Sequence, residues 1–270
     1  MGNTLERSTE KAKARKRALS HSVDARLRNL RDSIAVGTKT ANAAISRAMR
    51  DRSPIVRATA AELIAKQRNR LFLGSLHKLF SDPNDMVRGE AIEALGVIEA
   101  GSGSHHEDLV SRLHDSKPMV RIAAIETLAH VQDLRSIPEI QTCLDDEDSL
   151  VRAYAAIALA ELGCKPCLSR ISNALAVEKE NTAAAGFLVA MRFLGDDTKF
   201  ETLLALLHSD QYRVRCFVAN WLLRLKLKPR ELRAVRAAVK EALDHSLGRA
   251  DSSTMLRVLA ELGLSRALRG

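Results

Sequence analysis

Residues 133–163 read DLRSIPEIQTCLDDEDSLVRAYAAIALAELG, and the fold follows from how this stretch divides. Ile137, Ile140 and Leu144 fall on one side of a short helix that ends at the acidic residues 145–148. A second helix follows. Counted from Arg152, the residues three, four, seven and ten places on are Ala155, Ala156, Leu159 and Leu162, which share one helical face. Gly163 stands where a left-handed cap would stop that helix. The stretch is therefore a helical hairpin with an apolar face that nothing inside it can cover.

The cover comes from repetition. The same phrase occurs as SDPNDMVRGEAIEALG at 81–96 and HDSKPMVRIAAIETLA at 114–129. Aligned on Val-Arg, the arginines are Arg57, Arg88, Arg121, Arg152 and Arg215, with steps of 31, 33, 31 and 63 residues. The last step spans two periods, and the unit inside it, NTAAAGFLVAMRFLG (181–195), has lost its arginine. A final unit, DSSTMLRVLAELG (251–263), ends on the same Leu-Gly, so seven units span roughly 38 to 264. Gly195 and Gly263 repeat the stop at Gly163. Hairpins stacked at a fixed period bury a continuous core. The expected fold is all-α: a right-handed α-solenoid of about seven hairpins with an N-terminal capping helix.

Composition agrees. Apolar residues make up 46% and aromatics 3%, mostly leaving Ala, Leu, Val and Ile, which suits close helix packing better than a β-sandwich. No apolar run reaches the ~18 residues of a membrane span. A charged start without an apolar stretch argues against a secretory signal, and Glu6 against myristoylation, so the expectation is a cytosolic protein. The net charge of +9 is uneven. Residues 1–57 carry 14 basic against 5 acidic residues, 58–212 carry 15 against 23, and 213–270 carry 13 against 5.

Before the repeats, KAKARKR (11–17) makes residues 1–17 a basic segment, read as a solvated extension in preference to a nucleic-acid or lipid arm. Leu19, Val23, Leu27, Leu30 and Ile34 form the stripe of a capping helix over 18–37, and the repeat stack runs from 38 to 270.

Asp51, Asp82, Asp115 and Asp146 each precede their unit's arginine by six residues. The Asp would cap the second helix or close its turn, and the Arg would reach the acid of its own or the adjacent unit. Asp51, Arg57, Asp82, Arg88, Asp115, Arg121, Asp146, Arg152 and Arg215 are thus read as a structural ladder.

This Asp-x5-Arg pattern, followed by an alanine-rich helix ending in Leu-Gly, resembles the HEAT-repeat family, and in particular the short bacterial units found in phycobilin lyase subunits. The resemblance covers about 38–264 and fails at the arginine of the fifth and seventh units. It implies a solenoid whose second helices line a concave side. Positions two, five and nine after the Arg should then face out. In the first three units they supply an acidic strip, Glu62, Glu90, Glu93 and Glu126. The next three supply Tyr154, Ile157, Val189, Phe193 and Phe217, with Asn220 beside them, while Trp221 falls one place off and reads as core.

Catalytic motifs are lacking. Cys164-Lys165-Pro166-Cys167 has thioredoxin-like spacing, yet no βαβ pattern surrounds it and no second such pair completes a zinc site. A structural role is expected, with Cys164, Cys167, Cys143 and Cys216 as four reduced thiols. Adjacent His105 and His106 point apart on a helix and read as a solvated turn. No cofactor or metal is expected.

The functional expectation is a non-enzymatic scaffold or adaptor binding another protein, a partly basic helix or extended peptide, along the concave face. Two alternatives stand behind it. One is nucleic-acid binding through the basic ends, for which Arg230, Arg233 and Arg236 lie off the strip. The other, implied by the resemblance alone, is an accessory subunit of a modifying enzyme such as a bilin lyase.

Overall fold

The computed structural model describes residues 22–36, 38–99, 105–245 and 249–262. Among them are fifteen α-helices and no strand. They fall into two compact units, within Met1–Ser104 and His105–Gly270.

The first unit holds α1 (Val23–Val36), α2 (Thr38–Ala48), α3 (Pro54–Lys66), α4 (Leu73–Leu79) and α5 (Asp85–Ile98). The second holds α6 (His106–Arg112), α7 (Pro118–His130), α8 (Ile137–Thr142), α9 (Ser149–Glu161) and α10 (Leu168–Val177). It continues with α11 (Asn181–Phe193), α12 (Phe200–Ala205), α13 (Tyr212–Leu222), α14 (Pro229–His245) and α15 (Arg249–Glu261). Helices α2 to α15 pair as seven hairpins, and α1 packs on α2 and α3 as their cap. KAKARKR, Leu19 and Gly263 lie outside the described residues.

Local chemistry sets the helix ends. Pro54 and Pro118 occupy the first turn of α3 and α7, where a missing N–H costs nothing. The Asn84 side chain accepts the Val87 N–H, and that of Asp148 accepts those of Leu150 and Val151. Four of the second helices stop at left-handed residues in register with the repeat: Arg68 (φ 47°), two periods on Gln132 (φ 57°), and then one period apart Gly163 (φ 70°) and Gly195 (φ 97°). Gly163 and Gly195 are the stops read from the sequence. Arg68 and Gln132 show that the backbone keeps the stop even where a side chain makes it costly.

Packing follows the repeat. In the first unit α3 stacks on α5, and in the second α7, α9, α11, α13 and α15 stack in order. The residues three, four, seven and ten after Arg88 and Arg121 are core: Ala91, Ile92, Leu95 and Ile98 in one repeat, Ala124, Ile125, Leu128 and Val131 in the next.

The arginines work in two directions at once. Arg57 donates through Nη1 to the Asp51 carbonyl at 2.8 Å, holding its own turn. It grips the next repeat's Asp82 carboxylate with Nε and Nη2, both at 2.7 Å. Arg121 does the same with the Asp115 carbonyl (2.8 Å) and Asp146 (2.7 Å). Arg152 takes the Asp146 carbonyl (2.7 Å) and Glu178 (2.8 and 2.9 Å). Arg88 and Arg215 hold the carbonyls of Asp82 and Ser209. The carboxylates also close turns, since Asp51, Asp82, Asp115, Asp146 and Glu178 each accept the N–H two residues on.

Two rungs lie outside the Asp-x5-Arg pattern. Arg26 on α1 pairs with Asp51 at 2.8 Å, and Glu178 takes the place of an aspartate. Spacing would have found the first, since Arg26 precedes Asp51 by 25 residues, as Arg57 precedes Asp82, whereas Glu178 stands 26 residues after Arg152.

Burial is the largest single influence on the Asp82 and Glu178 carboxyls and pushes them up, but the arginine hydrogen bonds, the backbone N–H groups they accept and the arginine charge together outweigh it and hold both below the usual carboxylate range. Arg57 and Arg152 are correspondingly raised, chiefly by the same hydrogen bonds.

Candidate functional site

The second unit carries most of its aromatic rings on consecutive second helices. Tyr154 on α9 and Phe217 on α13 belong to repeats two apart, yet their rings meet at 6.0 Å in an edge-to-face contact. The helix between them, α11, has Gly186 at the corresponding position. A Cβ there would fall 2.4 Å from the Ala153 Cα and Cβ. The glycine thus lets α11 press onto α9, and it removes the side chain that would stand between the two rings.

The rings continue outward. Phe217 lies 6.2 Å from Trp221, and Phe193 meets Trp221 edge-on at 6.0 Å. Arg224 stacks over Trp221 at 4.3 Å and binds Glu161 at 2.8 Å, another link from α13 back to α9. Phe193 is 37% exposed, Tyr154 and Phe217 are half-buried, and Trp221 is buried. Asn220 is exposed and accepts a hydrogen bond from Arg257. Tyr154's hydroxyl is raised above its ordinary pKa by burial and by Glu126, which is exposed on α7.

Two expected surface residues are core. Ile157 is 2% exposed and Val189 0%, and both belong to the cluster containing Ala185, Leu188, Val218 and Trp221. The correction has a physical cause. The close approach of α11 to α9 at Gly186 closes the gap over which position five would otherwise face solvent.

The first unit carries the acidic residues Glu62, Glu90 and Glu93 on α3 and α5. Glu62 pairs with Lys66 at 2.5 Å. Glu90 is half-buried, and burial together with repulsion from Glu93 and Glu62 raises its pKa; burial also raises that of Glu93.

Other candidates also resolve. Cys164 and Cys167 are joined in a disulfide with Cα atoms 5.4 Å apart, which corrects the expectation of four reduced thiols; Cys143 and Cys216 are free. His106 is no solvated turn residue, because its Nδ1 lies 2.8 Å from Asp133 Oδ2. His105 lies 3.8 Å from Asp108. Arg230, Arg233 and Arg236 are exposed on α14. A cleft of about 530 Å³ between the end of α12 and α14 is lined by His208, Asp210, Arg215 and Glu241.

Comparison with known proteins places this geometry. A family model described as HEAT repeats matches residues 41–105 and 106–177, together just over half of the chain. No curated protein matches. Among solved structures, the complex of CpcE and CpcF of phycocyanin lyase from Nostoc sp. PCC7120 superposes with a TM-score of 0.54 at 18% identity, over 82% of this chain and 93% of that one. Human deoxyhypusine hydroxylase in complex with glycerol gives a TM-score of 0.38 at 20% identity, over 90% of this chain and 91% of that one.

The likeness to the phycocyanin lyase complex overturns one expectation. The chain was expected not to be an enzyme because no nucleophile–base motif is legible. The same fold serves in a lyase complex, so a missing motif does not exclude a part in catalysis. No helix among the described residues is long and apolar enough to cross a membrane.

Proposed function

The chain belongs to the HEAT-repeat family, and from that premise we propose that it binds another protein through the aromatic face of its second unit. The observation that carries this reading is the joined set Tyr154, Phe217, Trp221 and Phe193. In a sequence that is 3% aromatic, these rings are gathered on one face and left partly open to water. Rings held by their neighbours lose little freedom on binding, which is what makes aromatic side chains effective anchors. Charged and polar groups rim the face: Glu126, Glu161, Arg224 and Asn220. Ile157 and Val189 support it from beneath.

The acidic residues Glu62, Glu90 and Glu93 favour a partner that is partly basic, a helix or an extended peptide, and would mainly affect its rate of approach. The complex of CpcE and CpcF in phycocyanin lyase is a precedent for the fold acting as one subunit beside another. Service as a subunit of a modifying enzyme is compatible with the same face. The exposed basic residues of α14 support the nucleic-acid alternative more weakly, since no aromatic side chain lies among them for base stacking.

A photo-crosslinker at exposed position 220 tests the reading, compared with one at position 236 on α14. The expected result is a protein captured from 220 and lost on Phe193→Lys, with helicity unchanged by circular dichroism. Capture from 236 alone, sensitive to nuclease and salt, would transfer the function to the basic helix.

A further inference from the structure

Cys164 occupies the place in its repeat that Asn69, Asp133 and Asp196 occupy in theirs, the residue after the left-handed stop. In those three repeats the side-chain Oδ1 accepts the N–H two residues on: from Leu71 at 3.2 Å, Arg135 at 3.2 Å and Thr198 at 2.9 Å. Two residues after Cys164 stands Pro166, which has no N–H to give. Acceptor and donor are lost together, and the Cys164–Cys167 disulfide closes the turn instead.

The substitution extends to the neighbouring repeat. Asn69 and Asp133 are tied to the preceding first helix by Asn42 and His106, each at 2.8 Å. Here Gln141 Nε2 donates to Cys167 Sγ at 2.9 Å. One repeat therefore replaces a polar brace with one that thiols can break.

We propose that Cys164–Cys167 is a reversible redox site whose substrate is a dithiol reductant, so that the brace between α9 and α10 is set by thiol redox state. Lys165 and Pro166 are exposed, and Cys164 is 8% exposed against 1% for Cys167. The incoming thiolate attacks Cys164 Sγ. A new S–S bond forms as the Cys164–Cys167 bond breaks, and the electron pair leaves on Cys167 Sγ. That sulfur stands at the N-cap of the ten-residue α10 and receives the Gln141 amide, both of which favour a thiolate. The second thiol of the reductant then displaces Cys164. The protein gains two electrons and two protons, and the reductant leaves as a disulfide. Cys143 takes no part, since it is buried and its thiol is pushed up to about 11 by burial.

The test uses the full chain in glutathione buffers of graded ratio, with thiols counted by alkylation and mass spectrometry. The expected result is a reversible two-electron transition of this pair alone, with faster amide exchange in the first turn of α10 on reduction. Among single variants, Cys167→Ser should take one glutathione at Cys164 faster than Cys164→Ser takes one at Cys167, because the 1% exposure of Cys167 limits access more than its thiolate character helps it. A pair that stays oxidised, or stays reduced, across the whole series in the native protein would overturn the proposal, as would equal rates in the two variants.

Discussion

The repeats of α7 and α9 and the repeat of α11 solve the same problem differently. In the first two, Arg121 and Arg152 reach forward one repeat to Asp146 and Glu178, tying neighbour to neighbour. In the α11 repeat the arginine position is Ala184, and 25 residues on, where a rung would find its acid, stands Ser209. Both ends of the rung have been removed together, so no buried charge is stranded. In place of the rung, α11 presses its bare Gly186 surface against Ala153, α9 and α13 are clasped across it by Tyr154–Phe217 and Glu161–Arg224, and Arg192 near its end pairs with Glu231 on α14 at 3.1 Å. The ladder binds adjacent repeats through charge. The clasp binds repeats two apart through rings, and in doing so gathers the aromatic side chains on one face. A structural deletion and a candidate binding face are the same event.

The largest expected effect breaks the ladder. Arg121→Ala strands Asp146, and urea unfolding should show a loss of ~3–5 kcal/mol. Gly186→Ala breaks the clasp: its methyl meets backbone that cannot move without parting two helices, so about 1–3 kcal/mol should be lost. That variant should also weaken partner capture at the aromatic face, which Arg121→Ala should spare.

Acid sharpens the contrast. The folded pKa values of Asp82 and Glu178 are depressed, so their contribution is complete above the unfolded values of about 3.9 and 4.3 and is lost as pH falls through the lower folded values. Stability should therefore fall steeply below about pH 4, and Asp82→Asn should flatten that fall in denaturation curves taken at successive pH values. Glu90 works with the opposite sign, since its raised pKa makes its ionised form a cost at neutral pH. Glu90→Gln should be slightly stabilising there.

A double-mutant cycle on Tyr154 and Phe217 should give a coupling of ~0.5–1.5 kcal/mol. The smallest effect is expected at the exposed Arg170–Asp145 pair, where Arg170→Ala should change stability by less than ~1 kcal/mol despite a 2.5 Å contact.

The hairpins were legible because their apolar spacing is fixed by the helix itself, whatever the neighbours do. So were the stops at Gly163 and Gly195. Those at Arg68 and Gln132 were not, because no residue type announces them. The ladder was legible as a pattern but not in its choice of partner. Arg57, Arg121 and Arg152 take the acid of the adjacent unit, and from their own unit's aspartate they take the carbonyl in place of the carboxylate. Ile157 and Val189 were misplaced because the facing of position five depends on how closely two helices approach. One glycine decides that distance, and a periodic pattern read within a single helix carries no record of it. The cysteine bond was hidden for a similar reason, since its logic shows only when Pro166 is aligned with the donors of Leu71, Arg135 and Thr198.

The ladder also has a direction in time. Arg57, Arg121 and Arg152 leave the ribosome 25 or 26 residues before the carboxylates they will hold. A nascent chain that ends inside a repeat therefore displays the guanidinium of the last finished hairpin with only half of its bonds made. The smallest piece that can settle is one hairpin plus the turn that opens the next, so growth should proceed in steps of that length, each new turn locking the hairpin behind it.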